Sequence, residues 1–254
     1  MKNLCFDRLA HRLQFLVFYA REYYFPAGCS ICGASLLDTK EAWYGLCSIC
    51  HSRVDAELEE GRANEHCDCC GKPLVSEQAR CLSCRKREDF VVDGITVLFP
   101  YMGKYRRLLS SYKFGKNLAA GHFLAEKMRV ALDGACPSGA CIVPVPPRPG
   151  KIRKAGWDQV EYLARLLERG GGRTSGLPVS RCLKRLPSQS QKELGRDNRM
   201  TNLLGRIVPI RRVPKTCVLI DDVMTTGSTL EACAAALKDG GAHSVSGLCL
   251  FYDL

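Results

Sequence analysis

Val218-Leu219-Ile220-Asp221-Asp222-Val223-Met224-Thr225-Thr226-Gly227-Ser228-Thr229 is the stretch whose reading decides the fold. With Cys217, its opening residues form a short apolar run, the pattern of a strand buried on both faces. The run empties into a turn of hydroxyl residues and glycine, and a helical pattern starts at Ser228 and continues to about Lys238. In open α/β sheets ligands sit beyond the carboxyl ends of strands, where a helix N-terminus offers unpaired N–H groups and a positive dipole end to an anion. Thr225, Thr226, Ser228 and Thr229 add hydroxyls around Gly227. Two carboxylates, Asp221 and Asp222, repel phosphate but accept hydrogen bonds from a vicinal diol, so a sugar phosphate suits both halves of the motif. Taken singly, Asp-Asp and Thr-Thr-Gly also cap helices and tighten turns with no ligand involved. The whole string, strand included, favours the ligand reading.

Outward from this motif the chain alternates strands and helices. Strands are expected at 91–100, 141–145, 178–183, 217–221 and 244–252, and helices at 104–113, 117–132 with Asn117 as N-cap, 158–169 and 228–238. Residues 146–150, Pro-Pro-Arg-Pro-Gly, suit neither a helix nor a central strand. Residues 187–204 are polar and read as a mobile loop. The alternation predicts an α/β domain with an open, mainly parallel sheet covered by helices on both faces, over residues 90–254.

Residues 27–88 differ in kind. They are rich in Cys, Gly and charge, lack long helical periodicity, and contain a repeat: Cys29-Ser-Ile-Cys32-Gly33 is echoed by Cys67-Asp-Cys-Cys70-Gly71. Each copy is followed by a second pair, Cys47 and Cys50, then Cys81 and Cys84. Four thiolates complete a tetrahedral Zn²⁺ site with no open position, so the expectation is about two structural zinc ions in a double zinc ribbon. Sequential pairing of knuckles is favoured, with an interleaved pairing of the first knuckle with the third left open. Cys69 competes less well than its neighbours on spacing, and His51 and His66 are not needed as ligands. Cys141, Cys182, Cys217, Cys233 and Cys249 read as small buried hydrophobes.

The 254 residues include 37 Lys and Arg against 26 Asp and Glu, for a formal net charge of +11, and 16 cysteines. Such a surface favours nucleic acid, acidic membranes or phosphorylated molecules, and cysteine pairs at metal-ligand spacing point to a reducing compartment. Residues 1–26 read as an amphipathic segment, because the apolar run 13–20 is broken by Gln14 and preceded by Lys2, Arg8 and Arg12; a signal peptide is the alternative. No stretch reaches the roughly 20 apolar residues of a membrane span. A cytoplasmic protein is expected.

Residues 218–230 resemble the signature of type I phosphoribosyltransferases, and the chain from about 27 to 254 is similar to the ComF family, in which a Cys-rich zinc ribbon precedes a phosphoribosyltransferase-like domain. Other matching segments are 101–109 with Tyr112-Lys-Phe-Gly115, Val143-Pro-Val-Pro146 with Arg153-Lys-Ala-Gly156, and Gln191-Lys-Glu-Leu194 through Arg196, Arg199 and Asn202. The departure is Trp157-Asp158-Gln159, where the family usually has an aromatic residue, Asn and Gln. The resemblance implies that Asp221 and Asp222 hold ribose hydroxyls, that Thr225, Thr226, Gly227, Ser228 and Thr229 hold a 5-phosphate, and that the loop bearing Arg148 meets pyrophosphate. It also implies phosphoribosyl pyrophosphate with Mg²⁺ as ligand, a flexible loop with Gln191, Arg196 and Arg199, and a task in DNA uptake. Single-stranded DNA and DNA-uptake machinery proteins are the implied partners. An active phosphoribosyltransferase with an unidentified acceptor is the other reading. Basic clusters interleaved with Tyr101, Tyr105, Tyr112, Phe114 and Trp157 suit single strands, although such aromatics also serve as core.

Overall fold

The computed structural model describes residues 28–74, 79–87, 90–135, 139–170, 177–187 and 205–253. The expected amphipathic segment 1–26 and the loop residues Gln191, Arg196 and Arg199 lie outside the described residues.

The centre is a four-stranded, fully parallel sheet in the order β1-β6-β5-β2, formed by β1 (Ile95–Pro100), β6 (Ser244–Tyr252), β5 (Thr216–Met224) and β2 (Cys141–Pro144). Alternation along β5 separates two cores. Val218 and Ile220 face a layer made by α4 (Gly103–Lys113), α5 (Leu118–Ala135) and α7 (Gln159–Arg169), among them Leu108, Phe123, Met128 and Leu163. Cys217 and Leu219 face α8 (Ser228–Asp239) with Cys233, Ala234 and Leu237. The protein is therefore an open α/β domain with helices on both faces, as the alternation predicts.

The N-terminal region adds α1 (Thr39–Tyr44), α2 (Ser48–Arg62) and α3 (Leu82–Arg85). Its first half shares a core with the sheet domain, since Ile31, Leu46 and Val54 pack in the same cluster as Phe123 and Leu124. Among the described residues no helix is long and apolar enough to cross a membrane.

Three expectations need correction, and residues 151–155 add a helix with no counterpart in the sequence reading. The strand read at 91–100 begins only at Ile95, because the N–H groups of Val91 and Val92 turn to the Glu231 carboxylate, at 2.8 and 3.3 Å. The strand read at 178–183 is a brief touch on Ile142, through Ile142 N–H to Pro178 O and Ser180 N–H to Ile142 O, both 2.8 Å. The chain then leaves the sheet, and β3 (Leu183–Arg185) pairs antiparallel with β4 (Ile207–Pro209) in a separate ribbon. The Cys-rich region does hold a 15-residue helix, α2. Only Cys50 and Val54 of it are buried, too few to leave an apolar stripe in the sequence. Finally, α6 (Lys151–Ala155) forms after the proline-rich loop with no buried residue, between Gly150 and Gly156, both at φ +76°.

Candidate functional site

The acidic pair lies near the carboxyl end of β5, an inner strand, and the chain passes directly from it into the N-terminus of α8. Gly227 precedes that helix at φ +76°, a conformation costly for any residue with a Cβ. Thr225 and Thr226 are exposed, Thr229 is partly so, and Ser228 is buried. The Thr226 and Ser228 hydroxyls are 2.7 Å apart and hold the turn closed. Glu231, in the first turn of α8, points away to Arg87 and the Val91 and Val92 amides. The positive end of the helix is thus left for an anion. All seven motif residues sit on one strand-to-helix corner.

The two aspartates differ sharply. Asp222 is 5% exposed, and its Oδ2 accepts from Lys113 Nζ at 2.6 Å and Gln159 Nε2 at 2.8 Å. Burial alone pushes its carboxyl up, but the Lys113 charge and these hydrogen bonds outweigh that and hold it below the usual carboxylate range. Asp221 accepts the Asp222 amide at 2.8 Å, and its carboxyl group also interacts with that of Asp222. Burial, with the Asp222 charge added, raises it well above that range. The Lys113 charge thus offsets one carboxylate of the pair, which lessens the repulsion a phosphate meets there.

Lys113 is the last residue of α4, where the negative end of the helix favours a cation. Gln159 opens α7 behind its N-cap Asp158, whose Oδ1 accepts the Val160 and Glu161 amides at 3.0 Å. The other carboxylate oxygen of Asp158 accepts from Lys151 at 2.6 Å, and Lys151 also donates to Gln159 Oε1. Asp158 therefore caps a helix and anchors α6, which gives a structural role to the residue that departs from the family pattern. Arg148 is exposed in the loop after β2. Arg185, on β3, is lowered from its ordinary value by burial and then by the Arg148 charge, and it also feels Asp221 and Arg206. Arg148, Arg185 and Asp221 thus share one electrostatic neighbourhood. Lys113, Gln159, Lys151 and Arg185 escape the sequence reading as site residues, although segments 112–115 and 157–159, which resemble or depart from the family pattern, contain two of them, Lys113 and Gln159.

The eight paired cysteines fall into two sets, Cys29, Cys32, Cys47 and Cys50, and Cys67, Cys70, Cys81 and Cys84, with all sulfurs of a set within 4.8 Å. Sequential pairing is the observed one. Cys32 to Cys47 and Cys70 to Cys81 are each 3.7 Å between sulfurs, close to the edge of about 3.8 Å of a tetrahedron with bonds of about 2.3 Å to Zn²⁺. The donor chemistry fits as well. Burial and the neighbouring sulfurs push the Cys50 and Cys84 thiols up, the condition a dication relieves. Against burial, backbone amides bring Cys67 down to about 6 and Cys29 to about 7. Both sets could hold a structural zinc ion. The sequence repeat is also a structural one: Gly33 N–H donates to Cys29 O and Gly71 N–H to Cys67 O, with φ +78° and +68°. Cys69 lies outside the second set.

No family model matches the chain. It is 25% identical over 237 residues to "Competence protein F" of Haemophilus influenzae, covering 87% of this chain and 95% of that protein. It is also 25% identical over 235 residues to "Competence protein ComFC" of Streptococcus pneumoniae, covering 85% and 96%. The chain is similar to competence proteins of two organisms over most of its length. The likeness covers most of this chain and nearly the whole length of both relatives. Among solved structures, a phosphoribosyltransferase from Corynebacterium diphtheriae is similar at 16% identity and a TM-score of 0.33, covering 60% of this chain and 69% of that one.

Proposed function

We propose that this chain is a cytoplasmic competence-type protein whose α/β domain binds phosphoribosyl pyrophosphate, or a related ribose 5-phosphate ligand, and that assists handling of single-stranded DNA in natural transformation. The observation that carries the ligand is the meeting of the acidic pair with the N-terminus of α8 at the carboxyl end of β5. The sugar diol meets the carboxyl groups, and the 5-phosphate meets the amides and hydroxyls of residues 225–229. Arg148 stands on the pyrophosphate side, with Mg²⁺ accompanying the diphosphate. The two cysteine sets hold structural Zn²⁺. The DNA-uptake role rests on the names of the two relatives and on the net charge of +11.

A second reading, transfer of the phosphoribosyl group to an unidentified acceptor, is favoured by Arg185, a half-buried cation beside Arg148 and Asp221 where leaving-group charge would develop. Calorimetry with phosphoribosyl pyrophosphate and Mg²⁺ tests the shared ligand: binding by the wild type and its loss in the Asp221→Asn, Asp222→Asn double variant is the expected result, and no heat with the wild type overturns the proposal. Release of pyrophosphate in the presence of candidate bases separates the readings. Affinity for an oligothymidylate strand that falls steeply with salt supports the DNA role.

A further inference from the structure

The two members of the acidic pair are held in different ways. Both oxygens of Asp222 are engaged: Oδ2 by Lys113 and Gln159, and Oδ1 by the Val223 amide at 3.0 Å. Asp221 accepts the Asp222 amide on Oδ1 at 2.8 Å, and its carboxyl group also interacts with that of Asp222. Each donor to Asp222 is itself fixed. Lys113 ends α4, whose Tyr112 hydroxyl donates to Gln159 O at 2.6 Å, and Gln159 is tied through Oε1 to Lys151. Trp157 packs edge-on against Tyr112, with ring centroids 5.4 Å apart, over the same junction.

We propose that Lys113 and Gln159 are positioning residues of the sugar-phosphate site: they hold the Asp222 carboxylate in one orientation, and Lys113 offsets its charge beside the N-terminus of α8. This rests on the sugar-phosphate reading above and names what holds its acidic pair. The chemistry follows from charge. A cation built into the fold offsets Asp222, so the corner accepts a phosphate without two bare carboxylates opposing it. Gln159 and Lys113, both on Oδ2, fix the plane of the Asp222 carboxylate. The charged and titratable groups around Asp222 are Asp221 on β5, Lys113 and Tyr112 on α4, and Cys249 on β6, with Lys151 and Asp158 behind Gln159. Lys113 is the cation that touches Asp222 directly among the described residues.

The test compares wild type with Lys113→Met, Lys113→Arg and Gln159→Leu, in two measurements. The first is carboxyl titration of the ligand-free, ¹³C-labelled protein, with the Asp222 signal assigned by its absence in Asp222→Asn. Lys113→Met moves the Asp222 midpoint upward and Lys113→Arg restores it; an unmoved midpoint overturns the inference. The second is affinity for ribose 5-phosphate across pH, read as the ratio of variant to wild type so that the ligand's own phosphate titration cancels. Lys113→Met lowers affinity by about tenfold at neutral pH, with a loss that depends on pH, while Lys113→Arg retains binding. Equal affinity and an equal profile in Lys113→Met overturn the inference even if the wild type binds. Absence of wild-type binding instead overturns the sugar-phosphate reading, and the carboxyl titration then decides the role of Lys113 alone.

Discussion

Lys113 Nζ lies 2.6 Å from Asp222 Oδ2, and the two partners are unequally placed: the lysine side chain is 28% exposed and the aspartate side chain 8%. Removing either one leaves the other behind, but only the lysine is able to turn to water. Lys113→Met strands a buried carboxylate, which costs about 2 kcal/mol or more. Asp222→Asn leaves a solvated ammonium and an amide that still pairs with Gln159, and it costs about 1 kcal/mol or less. Urea unfolding of both variants at neutral pH measures the asymmetry; equal losses would contradict it.

The same pair sets a pH dependence. The Asp222 carboxyl is depressed in the folded protein, so its contribution is fully present above the unfolded value of about 3.9 and is lost as pH falls through the lower folded value. In Lys113→Met the carboxyl rises instead, and its penalty disappears once it is protonated. The stability gap between wild type and Lys113→Met therefore closes on acidification. Unfolding curves at a series of pH values check this, and a gap that widens toward acid would refute the sign.

The two repeat glycines predict unequal costs. A Cβ at Gly71 lies 2.2 Å from Ile95 O, on β1, whereas a Cβ at Gly33 meets nothing within 4 Å. Both have positive φ. Gly33→Ala thus costs about 1 kcal/mol in backbone strain alone, while Gly71→Ala adds a clash with main chain that forces the second cysteine module off the sheet edge. Thermal melts should show a loss for Gly71→Ala at least twice that for Gly33→Ala.

These cases mark how much of the molecule was legible in the chain. The parallel sheet, the β5–α8 corner and the eight cysteines were readable because each is local: a buried run, a strand-to-helix turn, a repeated spacing. The sheet starts and stops less so. The Val91 and Val92 amides leave the ladder for Glu231, 140 and 139 residues away, and no window of sequence contains both ends. Lys113 and Gln159 reach Asp222 from 109 and 63 residues away. Side-chain donors of this kind look like ordinary solvated residues until the fold assembles them, and the quoted segments that hold them carried no assigned role.

The first cysteine module and the site are joined through α4, and this predicts a coupling. Glu57 on α2 takes Lys104 and the Tyr105 hydroxyl, the latter at 2.7 Å, and Ser30 bonds Ser111 at 3.1 Å and Asn117 at 3.0 Å. All of these donors lie on α4 or just after it, and Lys113 ends the same helix. If each cysteine set takes a zinc ion, about two per chain, Cys47→Ser with Cys50→Ser leaves about one, detectable by elemental analysis. The loosened module then releases its hold on α4, so amide exchange rises across residues 103–113 while the second module keeps its protection. Disrupting Cys81 and Cys84 instead leaves α4 protected, because that module meets the sheet domain at Glu231 through Arg87, at 3.4 Å. Hydrogen exchange on the two double variants distinguishes these routes: equal loosening of α4 in both would mean that the modules act on the domain through general stability and not through the helix that carries Lys113.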